Sequence, residues 1–356
     1  MKTILVTGGA GFIGSNFIRY LQRVEPELFV VNLDALTYAG RLENLNGITD
    51  PKRYEFIKGD ICDQELVRTL LRKYSISRLV NFAAETHVDR SIQSPAKFIQ
   101  TNIVGTFSLL EAARSVWIEE NQAGSMNYRF HHISTDEVFG SLLPDEPAFS
   151  EKTPYSPSSP YSASKAGSDH LVRAFFHTYG LPVTITNCSN NYGPHQFPEK
   201  LFPLMILNAL QGKPLPVYGD GKQIRDWLFV EDHCEAIWRV ITSGQVGSTY
   251  AIGGNNQPTN LEIVSQICAY LDEVLPKSDN ISHSNLIQFV KDRPGHDRRY
   301  AVDISKIQHE LGWYPRHSLK EGIKLTIDWY LNHSEWLTAI TGQVFQNWLK
   351  VNYQKR

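Results

Sequence analysis

Apolar and polar positions along the chain fall into two alternating rhythms. Lys2–Thr7 is a β-branched apolar run, and residues 15–23 beyond it carry apolar side chains at helical spacing. Short apolar runs recur at 29–33, 54–57, 79–82, 130–133 and 183–187 and predict strands. The stretches 64–74, 95–117 and 161–179 between them predict helices. Strands alternating with helices at this spacing predict an α/β fold, a doubly wound parallel sheet with helices on both faces.

Beyond residue 190 the rhythm changes. Pro194, Pro198, Pro203, Pro214 and Pro216 break the chain into loops and short helices, while 261–275 and Leu319–Asn332 have the period of amphipathic helices. The run 250–254 resembles one more strand of the sheet. We expect a smaller, mixed α/β C-terminal lobe interleaved with the first: residues 1–189 with 223–253 in one lobe, 190–222 with 254–356 in the other. There is no internal repeat, low-complexity tract or long charge run.

Composition narrows the function classes. The 356 residues carry 35 basic and 37 acidic side chains, a net charge of −2, so no overall basic field gathers nucleic acid or an anionic membrane. Anionic ligands must be held by local groups. Apolar runs such as Ile4-Leu5-Val6 are far shorter than the roughly 20 residues that cross a bilayer. The N-terminal residues lack the pattern of a signal peptide, and the cytoplasm is the expected location. Cys62, Cys188, Cys234 and Cys268 have no CxxC spacing, and His87, His195 and His296 have no metal-ligand spacing. We expect reduced cysteines and no metal.

The first candidate chemistry is Gly9-x-Gly11-x-x-Gly14, with an added Gly8, between a predicted strand and a predicted helix. Glycines there allow a tight turn and close approach of backbone to a pyrophosphate, whose charge lies on the helix N-terminus. This is the context of a Rossmann-type dinucleotide site. Asp34 ends the second strand, where a carboxylate accepts from ribose hydroxyls and repels a 2′-phosphate, so NAD is expected over NADP. Asp60-Ile61 lies where an adenine edge is bound, or serves as a helix cap. Ala83-Ala84, after Phe82, makes room for a cofactor or simply packs.

The second candidate is Tyr161-x-x-x-Lys165, one helical turn apart behind Ser159 as N-cap and Pro160 at the first helical position. A phenol with a pKa near 10 becomes a useful base only where a positive charge stabilises its phenolate, and Lys165 supplies one. A Tyr–Lys pair alone is equally an ordinary surface pair. Ser134-Thr135-Asp136-Glu137, after the predicted strand 130–133, brings a hydroxyl and two carboxyls to the same carboxyl edge, although Ser134-x-x-Glu137 also reads as a capping box.

Taken together, Thr7-Gly8-Gly9-Ala10-Gly11-Phe12-Ile13-Gly14, Asp34, Asp60, the Tyr161–Lys165 pair and the carboxylate pair resemble the extended short-chain dehydrogenase/reductase superfamily over almost the whole chain. Within it, 83–91, 134–140 and 292–300 resemble the branch that dehydrates nucleotide sugars. Thr86 stands where Ser is also usual.

That resemblance implies an NAD-dependent lyase acting on dTDP-glucose in deoxysugar biosynthesis, dTDP-rhamnose included. Tyr161, assisted by Thr135 and Lys165, removes the proton of the hydroxyl at carbon 4 while hydride passes to NAD. Glu137 as base and Asp136 as acid expel water across carbons 5 and 6, and carbon 6 is then reduced. It also implies Gly8, Gly11, Phe12, Ile13, Gly14, Asp34, Thr37, Asp60, Ile61, Ala83, Ala84, Thr101, Tyr161, Lys165 and Asn191 at the cofactor. Thr86, Thr135, Asn190, Lys200, Leu201, Pro216, Tyr218, Arg225, Asn260, Arg293 and His296 are implied at the nucleotide sugar. Arg225 is the foremost candidate for bidentate phosphate binding and the 293–299 cluster the second, unless these arginines only form surface ion pairs. A UDP-glucose 4,6-dehydratase and a nucleotide-sugar 4-epimerase are the alternatives. A homodimer is implied, with 95–117 and 161–179 as interface helices, although amphipathicity alone fits packing on the chain's own sheet equally well.

Overall fold

The computed structural model describes residues 2–48, 50–120, 127–276, 281–292 and 297–342. Among them the strands are β1 (Lys2–Thr7), β2 (Leu28–Asp34), β3 (Tyr54–Lys58), β4 (Arg78–Asn81), β5 (Arg129–Thr135), β6 (Val183–Cys188), β7 (Asn190–Tyr192), β8 (Leu215–Tyr218), β9 (Trp227–Phe229), β10 (Thr249–Ile252) and β11 (Ile287–Val290). Seven of these form one parallel sheet in the order β10-β6-β5-β4-β1-β2-β3. The order reverses beside β1, between β2 and β4, which is where such sheets bind ligands at their carboxyl ends.

Alternation along β1 shows how the two faces are filled. Leu5 joins Val31, Leu79, Leu109 and Phe130 on one face, while Ile4 and Val6 join Phe17, Ile18, Val30 and Ile237 on the other. Because both faces are covered, every residue of β2 is buried, as a parallel sheet requires. The helix Phe12–Val24 packs on Val230–Ser243 over one face. Over the other face lie Gln64–Lys73, Pro160–Tyr179 and a continuous helical run from Pro95 to Glu119 that widens to π geometry over Ile99–Gly105 and Arg114–Glu119.

The second lobe has a core of its own. Phe202, Met205, Leu215, Val217, Ile263, Ile267, Ile323 and Ile327 pack together with Tyr192, Trp227 and Phe229. Two small parallel pairs, β7 with β9 and β8 with β11, accompany this core. The helix Leu201–Leu210 crosses this core and is buried along nearly its whole length. The short helix Ser334–Ile340 reaches back to the first lobe: Trp336 Nε1 donates to Asn44 Oδ1 at 2.8 Å, and Asn44 Nδ2 donates to the Ala10 carbonyl in the glycine turn at 2.8 Å.

Candidate active site

The two lobes enclose a cleft of about 450 Å³ along the carboxyl edge of the sheet. Every described residue expected at the cofactor, the reacting centre or the nucleotide sugar lines it. Arg293 and His296 lie outside the described residues. The rest of the 293–299 cluster does not support a second phosphate site. Arg298 is held by Asp220 at 2.9 and 3.0 Å on the surface, and Arg299 by Gln257 and the Glu146 carbonyl, so surface partners claimed both.

The floor is the turn between β1 and the helix Phe12–Val24. Gly8 has φ +69°, and a Cβ there lies 2.6 Å from Ala83 N, so only glycine fits. A Cβ on Gly14 lies 2.4 Å from the Gly8 carbonyl oxygen, which is how closely helix and strand approach. Gly11 differs: a Cβ there meets only the Gly8 carbonyl oxygen, at 3.2 Å, and otherwise extends into open space. As N-cap, Gly11 has no side chain over the first N–H groups of the helix, which leaves that end to an anion. The floor therefore fits a dinucleotide's pyrophosphate.

Asp34 stands at the end of β2, with Oδ2 accepting from Ala10 N and Oδ1 from Leu36 N, both at 2.8 Å. Each oxygen keeps a second lone pair for a ribose hydroxyl, and the same carboxylate holds the turn together. Asp60 accepts from Cys62 N at 2.9 Å, while Asp63 caps the following helix, so Asp60 is not that helix's cap.

The reacting edge is the end of β5. Ser134 does not cap the turn that follows; Thr135 does, its Oγ1 accepting from Glu137 N at 3.3 Å. The Thr135 hydroxyl also donates to Asp136 Oδ1 at 3.3 Å and, with the Tyr161 phenol, lines the cleft. Tyr161 enters from the helix Pro160–Tyr179, whose start is set by Ser159 and Ser162 in a reciprocal cap.

Asp136 is 1% exposed, and its Oδ2 has no hydrogen-bond partner among the described residues. Burial first, then the nearby charges of Glu137 and Asp226, push its carboxyl well above the usual carboxylate range. Those surroundings favour the protonated carboxyl. Glu137, next to it, is partly open to the cleft.

The ammonium of Lys165 does not meet the phenol through a hydrogen bond in the described geometry. Its Nζ donates to the Ile133 carbonyl at 2.7 Å and lies 3.3 Å from His132 Nε2. Lys165 and Tyr161 lie one turn apart on the same helix. Burial pushes Lys165 down to about 8 and pushes Tyr161 well up. The phenol thus needs positive charge beside it before it can act as a base.

On the far wall, Arg225 donates to the Ile224 carbonyl at 2.7 Å and the Asp297 carbonyl at 2.9 Å, and stacks 4.3 Å over the Tyr300 ring. That fixes a planar cation against the cleft, as phosphate recognition requires. Lys200 donates to the Thr86 carbonyl at 3.4 Å.

Two supporting residues carry no signal in the sequence. His233 Nδ1 lies 2.8 Å from Asn191 Oδ1; burial lowers His233 to about 3, so the ring is neutral and donates, fixing the Asn191 amide. Glu199 is buried against Arg90 at 3.2 Å, and the Arg90 guanidinium lies 3.9 Å over the Tyr38 ring.

Sheet order, glycine floor and a Thr-Asp-Glu edge facing a Tyr–Lys helix define an extended short-chain dehydrogenase/reductase with two adjacent carboxyls at the end of β5. The chain belongs to the GDP-mannose 4,6 dehydratase family, whose model matches residues 5–326. It is 54% identical, over 99% of both chains, to the dTDP-glucose 4,6-dehydratase of Salmonella typhimurium. Its fold is similar to the crystal structures of dTDP-glucose 4,6-dehydratase from Streptomyces venezuelae with NAD and a dTDP ligand (TM-score 0.85, 43% identity, 95% of this chain and 99% of that one) and from Bacillus anthracis with NAD (TM-score 0.83, 43% identity, 96% and 100%).

Replacing Gly14 by Ala forces backbone against backbone at the floor. Gly14→Ala is expected to lose about 1–3 kcal/mol of stability in denaturant unfolding and to weaken NAD binding in calorimetric titration, whereas Gly11→Ala is expected to affect binding more than stability.

Proposed function

We propose that the protein is an NAD-dependent hydro-lyase that converts dTDP-glucose into dTDP-4-keto-6-deoxy-glucose and water. The observation that carries this reading is the pair at the end of β5: a buried Asp136, its carboxyl pushed well above the usual range by burial, beside a cleft-facing Glu137, both next to Tyr161. An epimerase that returns hydrogen to carbon 4 has no task for an acid at carbon 6. The similarity to dTDP-glucose 4,6-dehydratases supports the same reaction and the same nucleotide.

NAD, when bound along the glycine floor, supplies a hydride acceptor next to carbon 4, a positive ring charge, and the later hydride donor to carbon 6. Gly8, Gly11, Phe12, Ile13, Gly14 and Asp34 hold its adenosine and pyrophosphate half, with Thr37, Asp60 and Ile61 around the adenosine. Ala83, Ala84, Thr101, Lys165 and Asn191 hold the other half. Tyr161 takes the proton of the sugar's 4-hydroxyl while Thr135 hydrogen-bonds the same oxygen, and Lys165 stabilises the phenolate. The ketone at carbon 4 acidifies the hydrogen at carbon 5, which Glu137 removes. Asp136 gives its proton to the 6-hydroxyl, which departs as water. Glu137 then returns a proton to carbon 5. In sum, the proton taken by Tyr161 balances the one given by Asp136.

Two adjacent carboxyls can work in opposite directions because their surroundings differ. Thr86 contacts the glucose ring, and Asn190, Lys200, Leu201, Pro216, Tyr218, Arg225 and Asn260 hold the nucleotide diphosphate. On this reading residues 1–189 with 223–253 form the cofactor lobe, and 190–222 with 254–356 the nucleotide-sugar lobe.

Exposed Ile99, Val104 and Phe107 on one helical run, beside exposed Tyr179 on the next, support a homodimer built on these helices. Among the described residues no helix is long and apolar enough to cross a membrane. A cytoplasmic location suits a nucleotide-sugar substrate.

With dTDP-glucose deuterated at carbon 4, the label is expected at carbon 6 of the product; label retained at carbon 4 would instead identify an epimerase. Glu137→Gln is expected to stop after oxidation and accumulate the absorbance of reduced nicotinamide, and full turnover by that variant would remove Glu137 as the base. Light scattering at micromolar concentration is expected to give a dimer that Phe107→Glu dissociates; a monomeric parent protein would rule the interface out.

A further inference from the structure

A knot of buried polar side chains around Lys165 has no part in the reaction as described above. At its centre is Asp169, one helical turn beyond Lys165 and 0% exposed. Its Oδ2 accepts from Ser134 Oγ at 2.7 Å, from the Tyr155 hydroxyl at 2.8 Å and from Asn187 Nδ2 at 3.3 Å; its Oδ1 lies 3.4 Å from His132 Nε2. A further turn along, Arg173 donates to the Tyr155 hydroxyl at 2.7 Å and lies 4.9 Å over its ring. Lys165, Asp169 and Arg173 are thus spaced four apart on one helix face, an anion between two cations.

The groups around Lys165 leave one source of negative charge. On β5, His132 is neutral. Asn81 Nδ2 lies 3.3 Å from its Nδ1 and can only donate to it, and Ser168, whose hydroxyl already donates to the Lys165 carbonyl, accepts from Nε2–H. Burial and the charge of Lys165 hold that ring well below the usual histidine range. On β6, burial pushes the Cys188 thiol up, and Tyr161 on the same helix is held protonated. Asp169 remains. Burial raises its carboxyl, while Lys165, Ser134 and Tyr155 draw it back towards the ionised form.

We propose that Asp169 is a positioning residue for the oxidation step: it supplies the buried counter-charge to Lys165 and, through Ser134, ties that charge to the strand that carries Thr135, Asp136 and Glu137. The proposal rests on the reading of Tyr161 and Lys165 as the oxidising pair. Asp169 and Lys165 approach the same His132 Nε2, at 3.4 and 3.3 Å, and a buried ammonium with no anion nearby is disfavoured, so removing the anion makes Lys165 give up its proton at lower pH. The phenol then loses its nearest positive charge at a pH where the parent protein still has it.

The test compares the parent protein with Asp169→Asn and Tyr155→Phe. Lys165 is titrated directly by NMR in protein labelled at lysine, its signal assigned with Lys165→Met, and kcat for dTDP-glucose is followed against pH. In Asp169→Asn the Lys165 midpoint and the alkaline limb of kcat are both expected about one pH unit or more below the parent's. Tyr155→Phe, which removes one of three donors to Asp169, is expected to move both in the same direction by less. A merely structural role predicts lower kcat at every pH with the limb in place. Asp169→Asn with a parent-like unfolding midpoint and an unmoved Lys165 titration overturns the proposal. If that variant fails to fold, an unmoved titration in both Tyr155→Phe and Ser134→Ala overturns it. A shifted Lys165 midpoint in a protein that turns over no nucleotide sugar refutes the functional reading and leaves the coupling standing.

Discussion

Ser134 stands opposite Asn187 and Thr135 opposite Cys188, and this register between β5 and β6 governs what the reacting edge can be. Asn187 Nδ2 donates to the Thr135 carbonyl at 3.2 Å and Cys188 Sγ to the Ser134 carbonyl at 3.3 Å, so side chains of one strand clamp the end of the other. Strand side chains alternate in direction, and a slip of one residue exchanges the faces. Ser134 then leaves Asp169, Thr135 leaves Tyr161, and Asp136 is no longer carried into its sealed position. The chemistry depends on main-chain pairing before it depends on any ionisable group.

Given that register, burial does the sorting. One low-dielectric wall raises the carboxyl of Asp136, raises the phenol of Tyr161 and lowers the ammonium of Lys165. All three shifts disfavour charge, and they have opposite chemical meanings: the carboxyl becomes a donor, the phenol waits for a cation, and the ammonium stays close to the edge of its charged range. Asp226, drawn up to about 7 by burial despite backbone N–H groups of the 254–256 turn, adds like charge against Asp136.

Much of this was legible in the sequence, and the exceptions have physical causes. The glycine turn, Asp34, the strand ends and the Tyr161 helix announce themselves because period, capping and glycine spacing are local properties. The helix Leu201–Leu210 does not, since it is apolar on nearly all sides and has no polar face to set a period. Val230–Ser243 is hidden because Trp227-Leu228-Phe229-Val230 runs strand into helix with no turn residue between. Arg298 and Arg299 read as phosphate ligands by charge alone, and only the fold reveals that Asp220, Gln257 and a carbonyl claim them first. Asp169 and His233 sit on helices among other polar residues, and nothing short of the tertiary structure shows that both are buried.

The chain from Trp336 through Asn44 to the Ala10 carbonyl joins a late helix to the glycine turn near the start of the sequence. Arg41 N donates to that same carbonyl at 2.9 Å, so the turn is held by a loop that is itself held by the late helix. A dinucleotide that rigidifies the turn therefore also favours the docked helix, and a helix that undocks loosens the grip on the dinucleotide, by the reciprocity that links any two coupled equilibria. Retention of the cofactor between the taking of the hydride and its return, which a reaction that ends with the cofactor in its starting state requires, becomes a property of contacts between parts of the chain 292 residues apart.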